Sequence, residues 1–290
     1  MIAVLVGLSG ALVYGAADFL GGIAAKRISA LRVTAIGGAS GLAGLLLVLP
    51  VLGGAWSTEA VILGAISGVS GAAAIALLYG CLAIGPMSIL SPLTAVVSAI
   101  VPLSVGLIRG ERLQPIGYVA LAIALVAIML VGVVPDPRAV RPSLKALLMA
   151  IGSGTLIGVF LITIDLTPDD SGIIPLVANR ATNAVLLFST VGVLAIVARA
   201  RVRPGALRAG RGWRPGLALA VACGVVDAGA NVLIIVGLRI GELTIISVLT
   251  AMYPAGTIIL AAIVLRERVS RAQLVGLILA IVAAALLALA

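Results

Sequence analysis

LAIGPMSILSPLTAVVSAIVPLSVGLIRGERLQPIGYVALAIALVA (82–127) and LRIGELTIISVLTAMYPAGTIILAAIVLRERVSRAQLVGLILAIVA (238–283) are one passage written twice. Laid over each other without a gap, at a displacement of 156 residues, they agree at 16 of 46 positions. Apolar matches are expected between two stretches rich in Ala, Leu and Val. Ile84-Gly85 with Ile240-Gly241, Ser91 with Ser247, Thr94 with Thr250, and Glu111-Arg112 with Glu267-Arg268 cannot be blamed on that bias. The chain is therefore read as an internal duplication.

Reading outward from the two copies, charge-free runs define the elements. Roughly 20 apolar residues cross the hydrocarbon of a bilayer, and a charge at the centre of such a run is costly. Ten spans are predicted, at approximately 2–25, 33–53, 60–83, 87–108, 114–133, 145–164, 173–198, 215–237, 243–264 and 271–290. The uncharged stretch 60–108 is too long for one crossing, so Gly85-Pro86 is read as the turn that divides it. Five spans per half is an odd number, so the second half enters the membrane from the opposite side. The predicted fold is an all-α integral membrane protein of ten transmembrane helices. It is arranged as two inverted five-helix repeats, 1–137 and 138–290, with a linker at 136–142.

Composition agrees with this and prunes the function classes. Of 290 residues, 62% are hydrophobic and 10% charged, too little polar surface to cover a soluble body. Histidine is absent, which removes His-based zinc sites, Ser-His and Cys-His catalysis and His proton relays. Cys81 and Cys223 lie inside apolar runs, where free cysteine behaves as a small hydrophobe. The first run has no basic leading region and exceeds a signal-peptide core, so it is read as a retained helix. Trp56 and Trp213 fall in inter-span loops, as interface anchors do.

The net charge of +9 has a topological explanation. Loops after odd-numbered spans hold fifteen Lys and Arg residues, including Lys26, Arg27, Arg138, Arg141 and those of the segment 199–214; the other side holds Arg109, Arg112 and Arg239. By the positive-inside rule the odd-loop side is cytoplasmic and both termini lie outside, and no nucleic-acid partner is expected.

Gly241-Glu-Leu-Thr-Ile-Ile-Ser247-Val-Leu-Thr250, Tyr253-Pro254, Leu265-Arg-Glu267-Arg268, the paired Arg109-Gly-Glu111-Arg112, and Asp227-Ala-Gly-Ala-Asn231 together resemble the EamA-type, ten-helix branch of the drug/metabolite transporter superfamily. The likeness covers nearly the whole chain. It implies a carrier in the cell membrane that moves small metabolites, amino acids or drugs, often outward, without a cofactor. It also implies cytoplasmic termini, against the charge count. The first copy departs from the second at Gly71, where the second has Asp227, and at Ile75, where it has Asn231.

Ionisable groups at membrane depth are the default pointers to function, since each costs about 2.5–3.5 kcal/mol on insertion scales. Asp18, Arg180 and Asp227 qualify. Asp18 reads either as a functional carboxylate or as a solvated helix-end group near Lys26 and Arg27. Asp227 and Asn231 are one turn apart on one face, as are Asn179 and Asn183 beside Arg180. Two readings stand. Asp227 and Arg180 form an ion pair that pins two helices, or Arg180 and the asparagines bind a polar or anionic solute group while Asp227 balances charge or carries a proton. Polar groups present in one copy alone suit an asymmetric solute at a pseudo-symmetric centre. Tyr14, Tyr79 and Tyr253 read as pathway-lining or core residues.

Weaker candidates complete the reading. Glu111 and Glu267 are read as interfacial ion-pair residues between arginines, and Asp165, Asp169 and Asp170 as a solvated loop cluster. Pro92, Pro102 and Pro254 can free backbone carbonyls. Gly37/Gly41, Gly64/Gly68 and Gly154/Gly158 suit close helix contact. Gly68-Val69-Ser70-Gly71 matches a serine-protease nucleophile pattern but lacks a histidine base. No catalytic residue or metal site is predicted. The competing readings are a passive facilitator with no coupling ion, a lipid-modifying enzyme, which needs a charged cluster at headgroup level, and a scaffold subunit, which needs a dry, packed centre.

Overall fold

With no water in the hydrocarbon to satisfy N–H and C=O groups, a spanning segment must bond its own backbone, and the apolar runs accordingly form helices. The computed structural model describes residues 1–84, 86–132, 142–201 and 214–289. In chain order these contain α1 (Ile2–Arg27), α2 (Ala30–Leu52), α3 (Thr58–Ile84), α4 (Met87–Ile108), α5 (Pro115–Gly132), α6 (Leu144–Asp165), a 3₁₀ turn (Asp169–Ser171), α7 (Ile174–Arg201), α8 (Arg214–Ile240), α9 (Leu243–Thr250), α10 (Tyr253–Val264) and α11 (Arg271–Leu289). The 26 residues of α1 extend about 39 Å at about 1.5 Å per residue, more than the hydrocarbon thickness. Nine stretches among the described residues are long and apolar enough to cross a membrane, α9 and α10 counting as one. The remaining long helix, α7, carries Asn179, Arg180 and Asn183. The protein is all-helical and membrane-embedded. Most of the linker at 136–142, Gly85, Trp213, Arg138, Arg141 and residues 202–213 of the Arg-rich segment 199–214 lie outside the described residues.

Outward faces are apolar, as in Leu47 (79% exposed) and Val51 (85% exposed) on α2. Inward faces use small side chains instead: Ala24, Ala35, Ala60, Ala99, Ala120 and Ala124 are fully buried. Lipid is as apolar as leucine, so association between helices depends on close backbone approach rather than on hiding large side chains from water. The predicted glycine pairs all lie at such contacts. A Cβ on Gly64 or Gly68 would strike α7 at Pro175 and Asn179, one on Gly41 would meet the carbonyl of Gly224 on α8, and ones on Gly154 and Gly158 would meet Val97 and Val101 of α4.

The helix pairings fall into matched sets. α1 packs on α8, as α3 does on α6; α2 packs on α8, as α7 does on α3; α4 packs on α6, as α9 and α10 do on α1; α5 packs on α11 and α2 on α7. All loops after even-numbered spans meet on one face. Ala55 N–H donates to Asp170 O at 2.8 Å, with Gly54 (φ +139°) and Gly172 (φ +51°) apposed backbone to backbone in conformations that glycine adopts readily. Arg109 pairs with Asp165 at 2.5 Å on the same face.

The ninth predicted span, 243–264, is not one helix. It breaks at residues 251–252 into α9 and α10. Pro254 has no N–H to offer the carbonyl of Thr250 and its ring crowds that carbonyl, so the ladder stops and restarts with Pro254 in the first turn of α10. α4, by contrast, continues through Pro92 and Pro102.

Candidate functional site

The polar faces read from α7 and α8 turn inward onto one space. A cavity of about 240 Å³ lies among α1, α3, α4, α6, α7 and α8, with the α9–α10 break forming part of its wall. Tyr14, Asp18, Asn179, Arg180, Asn183, Asp227, Asn231 and Tyr253 all line it.

Three of these groups hold helices together while facing the cavity. The Arg180 guanidinium donates to the Asp227 carboxylate, joining α7 to α8, with side chains 13% and 18% exposed. Both charges have left bulk water, so each needs the other. Asn231 Nδ2 donates to the backbone carbonyl of Asp227 at 2.8 Å, one turn along α8. Asn179 Nδ2 donates to Ser67 Oγ at 2.8 Å, and Ser67 Oγ donates to Gly64 O at 2.7 Å, which fastens α7 onto α3 where the glycines let it come close.

Other groups are unspent. Asp18 is an exposed side chain on the cavity wall and makes no hydrogen bond or ion pair with the described residues. It stands on the cavity wall beside Tyr14, one turn earlier on α1. Asn183 Oδ1 and Thr250 Oγ1 are buried without a hydrogen-bond partner among the described residues. The Tyr14 and Tyr253 rings lie 5.9 Å apart at 52°, joining α1 to the start of α10. The side chain of Tyr79 lies outside the described residues.

The reading from sequence did not single out Ser98, Phe160, Ser247 or Thr250, which also line the cavity. Ser247 and Thr250 sit in the duplicated passage, and Pro254 downstream was the signal that this passage ends at a break.

Elsewhere the structure revises roles. Glu111 makes no ion pair among the described residues; its carboxylate accepts the backbone N–H of Leu243 at 3.0 Å and of Thr244 at 2.9 Å, capping α9 from the loop after α4. Of the acidic loop cluster, Asp165 pairs with Arg109, and Asp169 meets Arg239 at 3.3 Å from a fully solvated position. Arg239 also donates to the carbonyls of Thr167 and Pro168, at 2.8 and 3.1 Å. Glu242, outside the spans, has its carboxyl pushed above the usual range by burial and then by Glu111 nearby. Ser70 spends its hydroxyl on Ser67 O at 2.9 Å, a packing role. Cys81 and Cys223 are free thiols. No group of three or more Cys, Asp or Glu that could hold a metal ion occurs among the described residues.

With this geometry in place, comparison with known proteins decides the family. The EamA-like transporter family matches the chain over residues 144–289, half of its length. The chain belongs to that family. The EamA-like transporters are part of the drug/metabolite transporter superfamily and are membrane transporters of small molecules rather than enzymes. Among solved structures, one titled only "Crystal structure of protein" superposes on this EamA-like chain with a TM-score of 0.68 at 17% identity, covering 100% of this chain and 99% of the other; this is a likeness of fold. No curated protein matches the sequence.

Proposed function

We propose that this EamA-like protein exports a small organic metabolite, amino acid or drug across the cell membrane as a secondary transporter, by alternating access. The observation that carries the reading is the cavity itself. Polar and charged side chains from α1, α7 and α8 converge with the broken α9–α10 segment on one space at membrane depth. Discontinuous helices and buried charges that face a cavity are the arrangement a solute site needs, because irregular backbone and ions are tolerated in a bilayer where they line a water-filled space. In this reading 1–137 and 138–290 are inverted repeats that rock against each other. The matched helix pairings support that, since exchanging the two halves preserves the contacts. Outward transport follows the family resemblance, and the coupling ion is the proton. Asp227 is engaged by Arg180, so the carboxylate of Asp18, unpaired among the described residues, is the better proton carrier of the two.

The test needs no known solute. In a background with Cys81→Ser and Cys223→Ser, Thr250→Cys is exposed to a membrane-impermeant maleimide from either face of sealed vesicles. Labelling from both faces is the expected result. Labelling from one face alone under every ionic and pH gradient would refute alternating access.

A further inference from the structure

We infer that the solute is a small amphipathic amine, its protonated nitrogen set against Asp18 and its apolar body against α3 and α6. The inference rests on reading the cavity as a solute site and adds the class of molecule.

The two walls of the cavity differ. α1, α7 and α8 contribute its charged and amide groups. The facing wall contributes Ala74, Ile75 and Leu78 from α3 and Ile157, Phe160 and Leu161 from α6. The duplication explains the contrast: at the positions matching Asp227 and Asn231 the first copy has Gly71 and Ile75, so two similar modules enclose one polar and one apolar side. A solute satisfying both walls has a polar end and an apolar end.

Charge then selects the polar end. Arg180 is the one cation among the described residues lining the cavity, and Asp227 already occupies it. Asp18 has no counter-charge among the described residues, so these leave the cavity with one unmatched carboxylate and offer no free cation to a solute carboxylate. The other unspent groups are acceptors or can act as such: Asn183 Oδ1, in a side chain 7% exposed, and Thr250 Oγ1. An ammonium brings up to three N–H donors and a positive charge to this set. The paired rings of Tyr14 and Tyr253 add cation–π attraction. A cavity of about 240 Å³ is far above the roughly 10–15 Å³ that one water requires, so it has room for a small organic molecule.

Three probes sharing one ring separate the possibilities: phenethylamine, phenylalanine and 3-phenylpropionate, measured by calorimetry on the purified full chain in detergent. Phenethylamine is expected to bind at least tenfold more tightly than either carboxylate-bearing probe. Asp18→Asn should lose at least tenfold in phenethylamine affinity and Asp18→Glu should keep most of it, with unchanged thermal unfolding showing that both variants fold. Equal or tighter binding of phenylalanine or phenylpropionate, no binding of phenethylamine, or undiminished phenethylamine affinity in Asp18→Asn would each overturn the assignment. Any of these with two-sided labelling of Thr250→Cys leaves the carrier reading standing. One-sided labelling with tight, Asp18-dependent phenethylamine binding removes the carrier reading and keeps the amine site.

Discussion

Glu111→Ala removes the acceptor that caps α9, and the effect is local enough to measure amide by amide. The N–H groups of Leu243 and Thr244 open the helix and have no carbonyl one turn earlier to bond, so the Glu111 carboxylate is their partner, at 3.0 and 2.9 Å. Both residues are buried, at 1% and 0% exposure, so water is a poor substitute. A hydrogen bond to an ionised group contributes about 1.5–3 kcal/mol, and an orphaned buried donor costs about 1–3 kcal/mol. Allowing for partial relaxation of the two donors, the loss is about 2–4 kcal/mol, which at about 1.4 kcal/mol per tenfold corresponds to exchange faster by on the order of a hundredfold. Glu111→Gln keeps one acceptor oxygen and should fall between, at about tenfold. Gly106→Ala tests the same contact from the other side, because its Cβ would collide with the Glu111 carboxylate and the Thr244 hydroxyl. Hydrogen–deuterium exchange on peptides that begin at or before residue 241, so that the amides of Leu243 and Thr244 keep their label, reads all three variants. Wild-type protection of these two amides in Glu111→Ala would refute the capping role.

Further outcomes follow from the same contacts. Asp227→Ala leaves the Arg180 guanidinium without its partner in a side chain 13% exposed and should cost about 3–5 kcal/mol, read as a lowered unfolding temperature in detergent; Arg180→Met combined with Asp227→Leu should recover most of it, and a neutral single variant would deny the pair its structural part. Glu242→Gln should raise thermal stability at neutral pH, because the folded-state carboxyl is pushed upward by burial and by Glu111 and its ionised form is disfavoured there. That advantage should fade as pH falls into the usual carboxylate range, where the wild-type group is protonated in both states; a gain that grows with acid would contradict the sign. Gly224→Ala should separate α2 from α8, since its Cβ would sit on the Gly37 carbonyl and Ser40 hydroxyl, with a loss of about 1–3 kcal/mol; unaltered unfolding would show that the helices have room to part.

Much of the molecule is legible one segment at a time. The thickness of the hydrocarbon sets helix length, so charge-free runs mark the helices. The price of burying an ion singles out Asp18, Arg180 and Asp227 before any fold is known. Glu111 illustrates what escapes such reading. Flanked by Arg109 and Arg112, it suggests an ion pair locally, but its partners are amides more than 130 residues later in the chain. Pro92 and Pro102 carry the same chemical signal as Pro254, yet α4 continues and the ninth span breaks. Pro102 lies against Gly158 of α6, while Pro254 follows directly on the cavity-lining residues Thr250, Ala251 and Tyr253.

From the amino-acid string alone came the helical membrane character, the duplicated passage and the list of polar residues that must not face lipid, because each depends on hydrophobicity and spacing along one segment. Only the tertiary arrangement decided that Arg180 belongs to Asp227, that Asp18 has no partner among the described residues, and that polar and apolar side chains line one cavity. A buried charge is matched or left open by whichever helix is packed beside it, and no single segment carries that information.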